Sequence, residues 1–417
     1  MKKHLVLATC GTTGDILPFL EIGKYLCSKH HDVVFMTNPY FEDVVRSNGL
    51  AFTPFGTREQ YMDALNDPAM WNPKRGFQVF WAKTIRPNMS ALRSYVESLD
   101  SERNVLIVSC AALSPLANIA KGGNGNVKVI LAYAYPAIIR TYFGRRAMGG
   151  GLALPKYPKA LRKLLYLLAD KLISDVCTVP DINKERVKLG MPTIDHFFVH
   201  LQSSADAYVA LFPEWYDRIQ PDYPKPLISG DFVFCASPND VLSEEVSKFV
   251  DAGQPPILFT AGTGNKHAKK FFEIAADAVK DLNARAVFLT KFREQLAVSL
   301  PSSVLWQEYV PLRLILPKVS VIVHHGGIGT VAEASAAGVP QLIVPFSFDQ
   351  FDNALIIKNL CLGDSIQLGS LNRRTLIRKL SLIQRSRKIE QTCSSVAARY
   401  RTGLGTSQVL EKIFSAT

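Results

Sequence analysis

The stretch Val321–Ala354, VIVHHGGIGTVAEASAAGVPQLIVPFSFDQFDNA, constrains the fold more than any other part of the chain. An apolar run ends in His324 and His325, then Gly326, Gly327 and Gly329 follow, and a helix-forming segment opens at about Gly329. A second apolar run passes Pro345 and delivers Asp349 and Gln350. Strand, glycine turn, helix, strand and polar tip make one βαβ unit of a doubly wound parallel sheet.

A helix beginning near Gly329 presents unpaired N–H groups and the positive end of its dipole to the turn before it, and a diphosphate is the natural occupant of such a site. Gly326, Gly327 and Gly329 let the backbone approach phosphate oxygens closely, and the Thr330 hydroxyl adds a donor. His324, at the carboxyl end of its strand, is expected to donate to a phosphate and to gain charge by doing so. Glycine turns occur in every doubly wound fold, so the turn alone is weak testimony. Paired histidines also suggest a metal fragment, yet no third ligand sits at a helical or short-loop spacing from them. The second half of the segment strengthens the phosphate reading. Asp349 and Gln350 lie at the end of another buried strand, where α/β folds place ligand contacts, and a carboxylate and an amide suit sugar hydroxyls.

The segment resembles the donor-binding signature of family 1 glycosyltransferases, whose bacterial members carry HHGGxGT, GVPQ and DQxxNA. Here these are His324–Thr330, Gly338–Gln341 and Asp349–Ala354. The resemblance implies an α/β chain of the GT-B fold: two doubly wound Rossmann-like domains facing a central cleft. It implies that His324 and the turn Gly327, Ile328, Gly329 and Thr330 hold a nucleotide diphosphate while Asp349 and Gln350 hold the sugar. The resemblance also implies a phosphate contact from Thr263, in the glycine turn Thr260–Gly264, and Tyr309 stands where relatives stack a tryptophan on the base. Leu312 replaces the usual glutamine after Pro311, so uracil and thymine donors are not separated at that position. No metal and no cofactor are implied, and no DxD motif is present.

The organisation along the chain agrees. At 417 residues the chain fits two domains of ordinary size, and its 47% hydrophobic content suffices for two cores. Strands are expected at His4–Thr9, Asp32–Met36, Val105–Ser109 and Lys128–Tyr133, with a helix from about Leu17 to Lys29. Pro213, Pro221, Pro224 and Pro226 then mark a stiff connector, after which strand Pro256–Thr260, helix Phe271–Leu282 and strand Ala286–Thr290 restart the pattern. The expected division is an acceptor-binding domain at 1–215, a linker at 216–235, a nucleotide-sugar donor domain at 236–402, and a C-terminal helix at 403–417 crossing back to the first domain.

The N-terminal turn CGTTGDILPF lacks GxGxxG spacing, which weakens a dehydrogenase reading. In the resembling family this turn supplies the catalytic base, and Asp15 occupies that position. An unperturbed aspartate, with a pKa of about 3.9, is a poor base towards an alcohol. Burial raises it, and proton transfer need advance only once the sugar carbon is oxocarbenium-like. The alternative is that Asp15 caps a helix beginning at Ile16.

The segment DPAMWNPKRGFQVFW, with PDINKERVKLGMP, LFPEWY and DQFDNA, extends the resemblance over nearly the whole chain to the rhamnosyltransferases of rhamnolipid biosynthesis. That likeness implies transfer from dTDP-L-rhamnose or UDP-glucose to the hydroxyl of a lipid such as a 3-(3-hydroxyalkanoyloxy)alkanoic acid. Phe77, Phe80, Trp81, Tyr135 and Phe143 are candidate acceptor lining, each with core packing as its plain alternative. A UDP-sugar glucosyltransferase for a polyketide, sterol or carotenoid acceptor stays open, as does a non-catalytic nucleotide-sugar-binding partner protein.

The implied partners are a nucleotide-sugar donor, a lipid or other hydrophobic hydroxyl acceptor, and peripheral contact with the inner membrane or the acyl-acceptor synthase. Net charge of +12 is spread along the chain without a nucleic-acid-binding motif, so no nucleic-acid partner is expected. One basic concentration runs from Arg140 to Lys171 with leucines at helical spacing, read either as a solvated face or as a surface for an anionic acceptor or membrane. No apolar run reaches the roughly 18 to 20 residues of a membrane span, and a cytoplasmic protein, peripheral at most at the membrane face, is expected. Seven scattered cysteines read as reduced thiols.

Overall fold

The computed structural model describes residues 4–144, 146–148, 151–235, 240–402 and 406–415. The chain divides into two compact units. One comprises Met1–Arg145, Leu154–Cys235 and Thr406–Thr417, and the other Arg146–Ala153 and Ala236–Gly405.

The first unit is built on strands β1 (His4–Ala8), β2 (Asp32–Thr37), β3 (Ala51–Pro54), β4 (Val105–Cys110) and β5 (Val127–Tyr133). Beyond a short hairpin of β6 (Ala147–Met148) and β7 (Leu152–Ala153), it adds β8 (Ala207–Ala210) and β9 (Leu227–Ser229). Its seven-stranded sheet has the order β3-β2-β1-β4-β5-β8-β9, every pairing parallel. Successive side chains on a strand point to opposite faces. Thus Leu5 and Leu7 join Phe19 and Leu20 in one core, while Val6 and Ala8 join Trp81 and Leu116 in the other. A strand buried on both faces must be apolar throughout, which is why His4–Ala8 reads as a continuous run.

The second unit repeats the scheme with β10 (Ile257–Thr260), β11 (Ala286–Leu289), β12 (Val304–Gln307), β13 (Val321–His324), β14 (Gln341–Ile343) and β15 (Gly363–Ser365). The six strands lie parallel in the order β12-β11-β10-β13-β14-β15. In both sheets the direction of winding reverses beside the first strand, between β1 and β4 and between β10 and β13. Doubly wound sheets bind ligands at the carboxyl ends of the strands flanking that reversal.

The structure departs from the sequence reading in three places. The proline-rich stretch is not a free connector: β9 pairs with β8, and Tyr216, Tyr223 and Phe232 are buried within the first unit. Prolines are tolerated there because β9 is an edge strand. The first helix spans Thr13–Ser28 and therefore starts four residues before Leu17, with Pro18 in its second turn. The segment Arg146–Ala153, expected within the first domain, belongs to the second unit. The buried Arg146 guanidinium lies 3.7 Å from Asp352, and the Ala147 N–H donates to Asp352 Oδ1 at 2.7 Å. The helix Thr406–Ser415 packs in the first unit, where Val409, Leu410 and Ile413 join the core containing Phe19 and Leu20.

Candidate active site

Register places two glycine turns side by side in the second unit, because Thr260 at the end of β10 is opposite His324 at the end of β13. Gly262, in the first turn, has φ +89°, a conformation that disfavours any side chain. Gly327 precedes the helix Ile328–Ala337 as its N-cap, so the amides of Ile328, Gly329 and Thr330 are first-turn donors without helical acceptors. Thr263 is exposed at the crest of the first turn, and Gly329 and Thr330 are half-buried.

His324 does not take the expected part. It is fully buried, its Nε2 faces Gln341 Oε1 at 3.0 Å, and its Nδ1 accepts the Gly326 N–H at 3.2 Å. Burial lowers its pKa to about 3, with His325 pushing the same way, so the ring is neutral and both nitrogens are occupied. It pins the strand end and the turn, and the expected gain of charge does not occur. The neighbouring His325 has the position sequence reasoning gave to His324. Its ring lies against both turns: a Cβ on Gly327 would come within 2.4 Å of its Nε2, and one on Gly262 within 2.8 Å. Its pKa falls to about 4 through burial, and its Nδ1 has no hydrogen-bond partner among the described residues. With both histidines neutral, positive potential at the turn comes from helix amides rather than imidazolium.

The other predicted donor contacts divide. Asp349 is the half-buried N-cap residue of the helix Gln350–Asn359, and its Oδ2 accepts from Asn353 Nδ2 at 2.6 Å. It follows Phe348, whose φ of +54° is strained for a non-glycine residue. Gln350 departs from expectation. Its side chain turns inward, and Oε1 accepts from the N–H groups of Phe346 (2.8 Å) and Ser347 (3.0 Å), shaping the loop that presents Asp349. Tyr309 follows β12 at the sheet edge and is 63% exposed, open enough for a planar ring to stack on it. Glu333, on the same helix as Gly329, is a further candidate that the sequence reading did not name. Burial raises its pKa to about 7 against the opposing pull of Arg313. A lone acid within the small-residue run GTVAEASAAG was the available signal.

In the first unit the turn after β1 holds Asp15 at the third position of the helix Thr13–Ser28, with Thr12 rather than Asp15 as N-cap. Asp15 Oδ2 accepts the Thr12 N–H at 2.8 Å and the Thr12 hydroxyl at 3.2 Å, the reciprocal half of a capping box. These bonds converge on one oxygen and leave Oδ1 outside the box. Burial raises the pKa to about 6, against the lowering effect of Thr12. Gly11 makes room: its φ is +129°, and a Cβ there would lie 2.4 Å from Oδ2. Capping therefore occupies one oxygen of the carboxylate. Cys10 and Cys110 flank the turn with sulfurs 4.0 Å apart, and all seven cysteines are free thiols.

The aromatic candidates are mixed. Trp81 is a core residue, fully buried, its indole N–H donating to Asp181 at 2.8 Å, and so is not exposed lining. Phe77 and Phe80 are half-buried against the same core, and Phe77 packs on Phe197. Tyr135 and Phe143 are half-buried, and Lys159 Nζ sits 3.6 Å from the Phe143 ring centre. The basic stretch is not uniformly solvated. Arg140 pairs with Asp170 at 2.6 Å, and Arg162 donates to the carbonyls of Tyr157 and Pro155.

Residues 5–95 match the glycosyltransferase family 28 N-terminal domain, and residues 274–402 match the C-terminal domain of the erythromycin biosynthesis protein CIII-like family. The chain is 24% identical to a sterol 3-beta-glucosyltransferase of Candida albicans over 99% of its own length and 28% of the relative's. It is 27% identical to sterol 3-beta-glucosyltransferase UGT80B1 of Arabidopsis thaliana over 84% of its length and 58% of the relative's. The chain thus spans only part of these sterol enzymes. The uncharacterized glycosyltransferase Rv1524 of Mycobacterium tuberculosis is 25% identical, with 91% of this chain and 90% of that protein covered. Among solved structures, the glycotransferase of kitacinnamycin superposes with TM-score 0.71 at 17% identity, covering 99% and 98% of the two chains. Glycosyltransferase VinC in complex with dTDP gives 0.70 at 17% identity, with the same coverage. Each unit matches a glycosyltransferase-related family model over part of its length, and along the whole chain the scaffold is the GT-B fold of these solved structures.

Proposed function

We propose that the protein is an inverting glycosyltransferase that moves a sugar from dTDP-L-rhamnose or UDP-glucose to the hydroxyl of a lipid acceptor such as a 3-(3-hydroxyalkanoyloxy)alkanoic acid. The observation that carries the reading is Asp15: a carboxyl with pKa about 6, at the winding reversal of the first sheet, with one oxygen outside its capping box. In this reading Asp15 takes the acceptor proton as the acceptor oxygen forms its bond to the anomeric carbon. The bond from that carbon to the diphosphate breaks, and the departing charge falls on the amides of Ile328, Gly329 and Thr330. Thr263 and His325 flank the diphosphate, Asp349 takes the sugar, Tyr309 stacks on the base, and Glu333 serves as an acceptor for ribose hydroxyls. The amides do the electrostatic work that a metal does in other transferases, so turnover is expected without added metal. Phe77, Phe80, Tyr135 and Phe143 are the acceptor-side candidates that keep exposed surface. The protein acts in the cytoplasm in this reading and meets its acceptor at the membrane face.

A second reading, glucosyl transfer to a sterol-type alcohol, is supported by the similarity to sterol 3-beta-glucosyltransferases. One experiment separates the alternatives. Purified protein is incubated in EDTA with each donor and a panel of hydroxyalkanoyloxyalkanoic acids and sterols, and products are weighed by mass spectrometry. A product heavier by one deoxyhexose or one hexose names the donor, and the acceptor that gains it names the reading. Donor binding without product from any acceptor would instead favour a non-catalytic nucleotide-sugar-binding protein.

A further inference from the structure

The helix Lys159–Ala169 runs through a π-helical turn, Asp170–Asp175, into the helix Val176–Lys188, and its polarity is inverted. Leucines at a spacing of three and four normally face the core. Here Leu161, Leu164, Leu168 and Leu172 form such a stripe on the outside, widened by Leu167 and Val176, and Leu172 and Val176 are 69% and 66% exposed. The inward face carries Tyr166, Asp170, Ser174 and Thr178, all buried. They are satisfied locally: Asp170 by Arg140, and the Thr178 hydroxyl by the Ser174 carbonyl at 2.9 Å. The packing therefore stabilises an apolar exterior that the unit's own core does not use.

The charge around that stripe has one sign. Lys156, Lys159, Lys163 and Lys171 are all exposed on the same segment. Its two acids are buried and engaged, Asp170 by Arg140 and Asp175 by His196 and the Phe197 N–H. Lysine stems can lie along an apolar surface while their ammonium groups reach outward. An apolar stripe whose own segment exposes only cations complements a layer with a hydrocarbon interior and an anionic rim. No helix of the described residues is long and apolar enough to cross a membrane, so the complementary geometry is one that lies on the surface.

We propose that the outward face of residues 156–176 docks on an anionic phospholipid bilayer, the leucines entering the boundary between headgroups and acyl chains and the lysines lying at phosphate level. This inference does not depend on which sugar or acceptor the enzyme uses. It places the first unit, which carries Asp15, at the lipid surface.

The test is co-sedimentation of the full chain with vesicles of phosphatidylcholine alone and of phosphatidylcholine mixed with phosphatidylglycerol. Binding to the mixed vesicles is expected, weakening as salt shortens the screening length. Each lysine near an anionic surface strengthens binding by about fivefold, so Lys163→Gln with Lys171→Gln should weaken it by about 30-fold. Leu164→Gln, Leu168→Gln and Leu172→Gln together should abolish it. Because these side chains are exposed, unchanged thermal unfolding would show that both variants fold. No binding to mixed vesicles, or binding that neither variant alters, overturns the proposal. Light scattering that shows a dimer converted to a monomer by the leucine variant would also overturn it, making a second copy of the chain the occupant.

Discussion

Two adjacent histidines have different surroundings. Residues next to each other at a strand end point in opposite directions, so His324 turns its ring to Gln341 and the Gly326 amide while His325 lies against Gly262 and Gly327. His324→Ala would leave Gln341 Oε1 and the Gly326 N–H buried without their partner and open a cavity, at a cost of about 3 to 5 kcal/mol. A large fall in melting temperature is expected. His325→Ala should unfold near the wild-type temperature and bind the donor about tenfold more weakly, as titration calorimetry with dTDP or UDP would show. The opposite pattern would return His324 to the site. Protonation follows the same logic. His324 is held near pKa 3 when folded against an ordinary 6.5, so its contribution to stability is complete above about pH 6.5 and is lost progressively as pH falls below it. Asp15 has the reverse sign: with its folded pKa raised from 3.8 to about 6, it favours the folded state below about pH 4, and that contribution is lost as pH rises through 6. Asp15→Asn keeps an acceptor for Thr12 and removes a buried charge, so at pH 7 it should melt no lower than wild type.

At the scale of elements, the glycine turns work by what they omit. Gly327 has an ordinary φ of −62°, so its constraint is space alone, with the His325 ring where a Cβ would be. Gly327→Ala should fold and raise the donor KM several-fold with little change in kcat, which steady-state kinetics would separate; equal losses in both would indicate a role confined to the transition state. Much at this scale was legible beforehand. Strands buried on both faces are apolar throughout, and β1, β4, β5, β10 and β13 stand within a residue or so of where their runs placed them. Long-range packing was not legible. Trp81 and Gln350 carry types suited to ligand contact, and only the fold reveals that Asp181 and the backbone of Phe346 and Ser347 already engage them. Nothing in residues 146–153 announces that they leave one unit for the other, because the partner that holds them, Asp352, lies 205 residues from Ala147.

In the proposed function the first unit supplies the base and the second the phosphate turns, and the chain ends by returning to the first. Val409, Leu410 and Ile413 are buried there, and Lys29 pairs with Glu411 at the rim. Three buried aliphatic side chains contribute about 5 to 9 kcal/mol, comparable to the net stability of a domain. A chain cut after residue 402 should therefore lose cooperative unfolding of its first unit in calorimetry, and an unchanged trace would show the helix to be dispensable. In the proposed reaction the Asp15 carboxylate takes the acceptor proton. The most direct measurement is the pH dependence of kcat for wild type and Asp15→Asn with one donor and acceptor pair. Wild-type activity should rise with pH through about 6, where Asp15 loses its proton, and Asp15→Asn should lie about 10²- to 10⁴-fold lower without that limb. A variant that keeps the wild-type rate, or the same rise through 6, would show that the proton goes elsewhere.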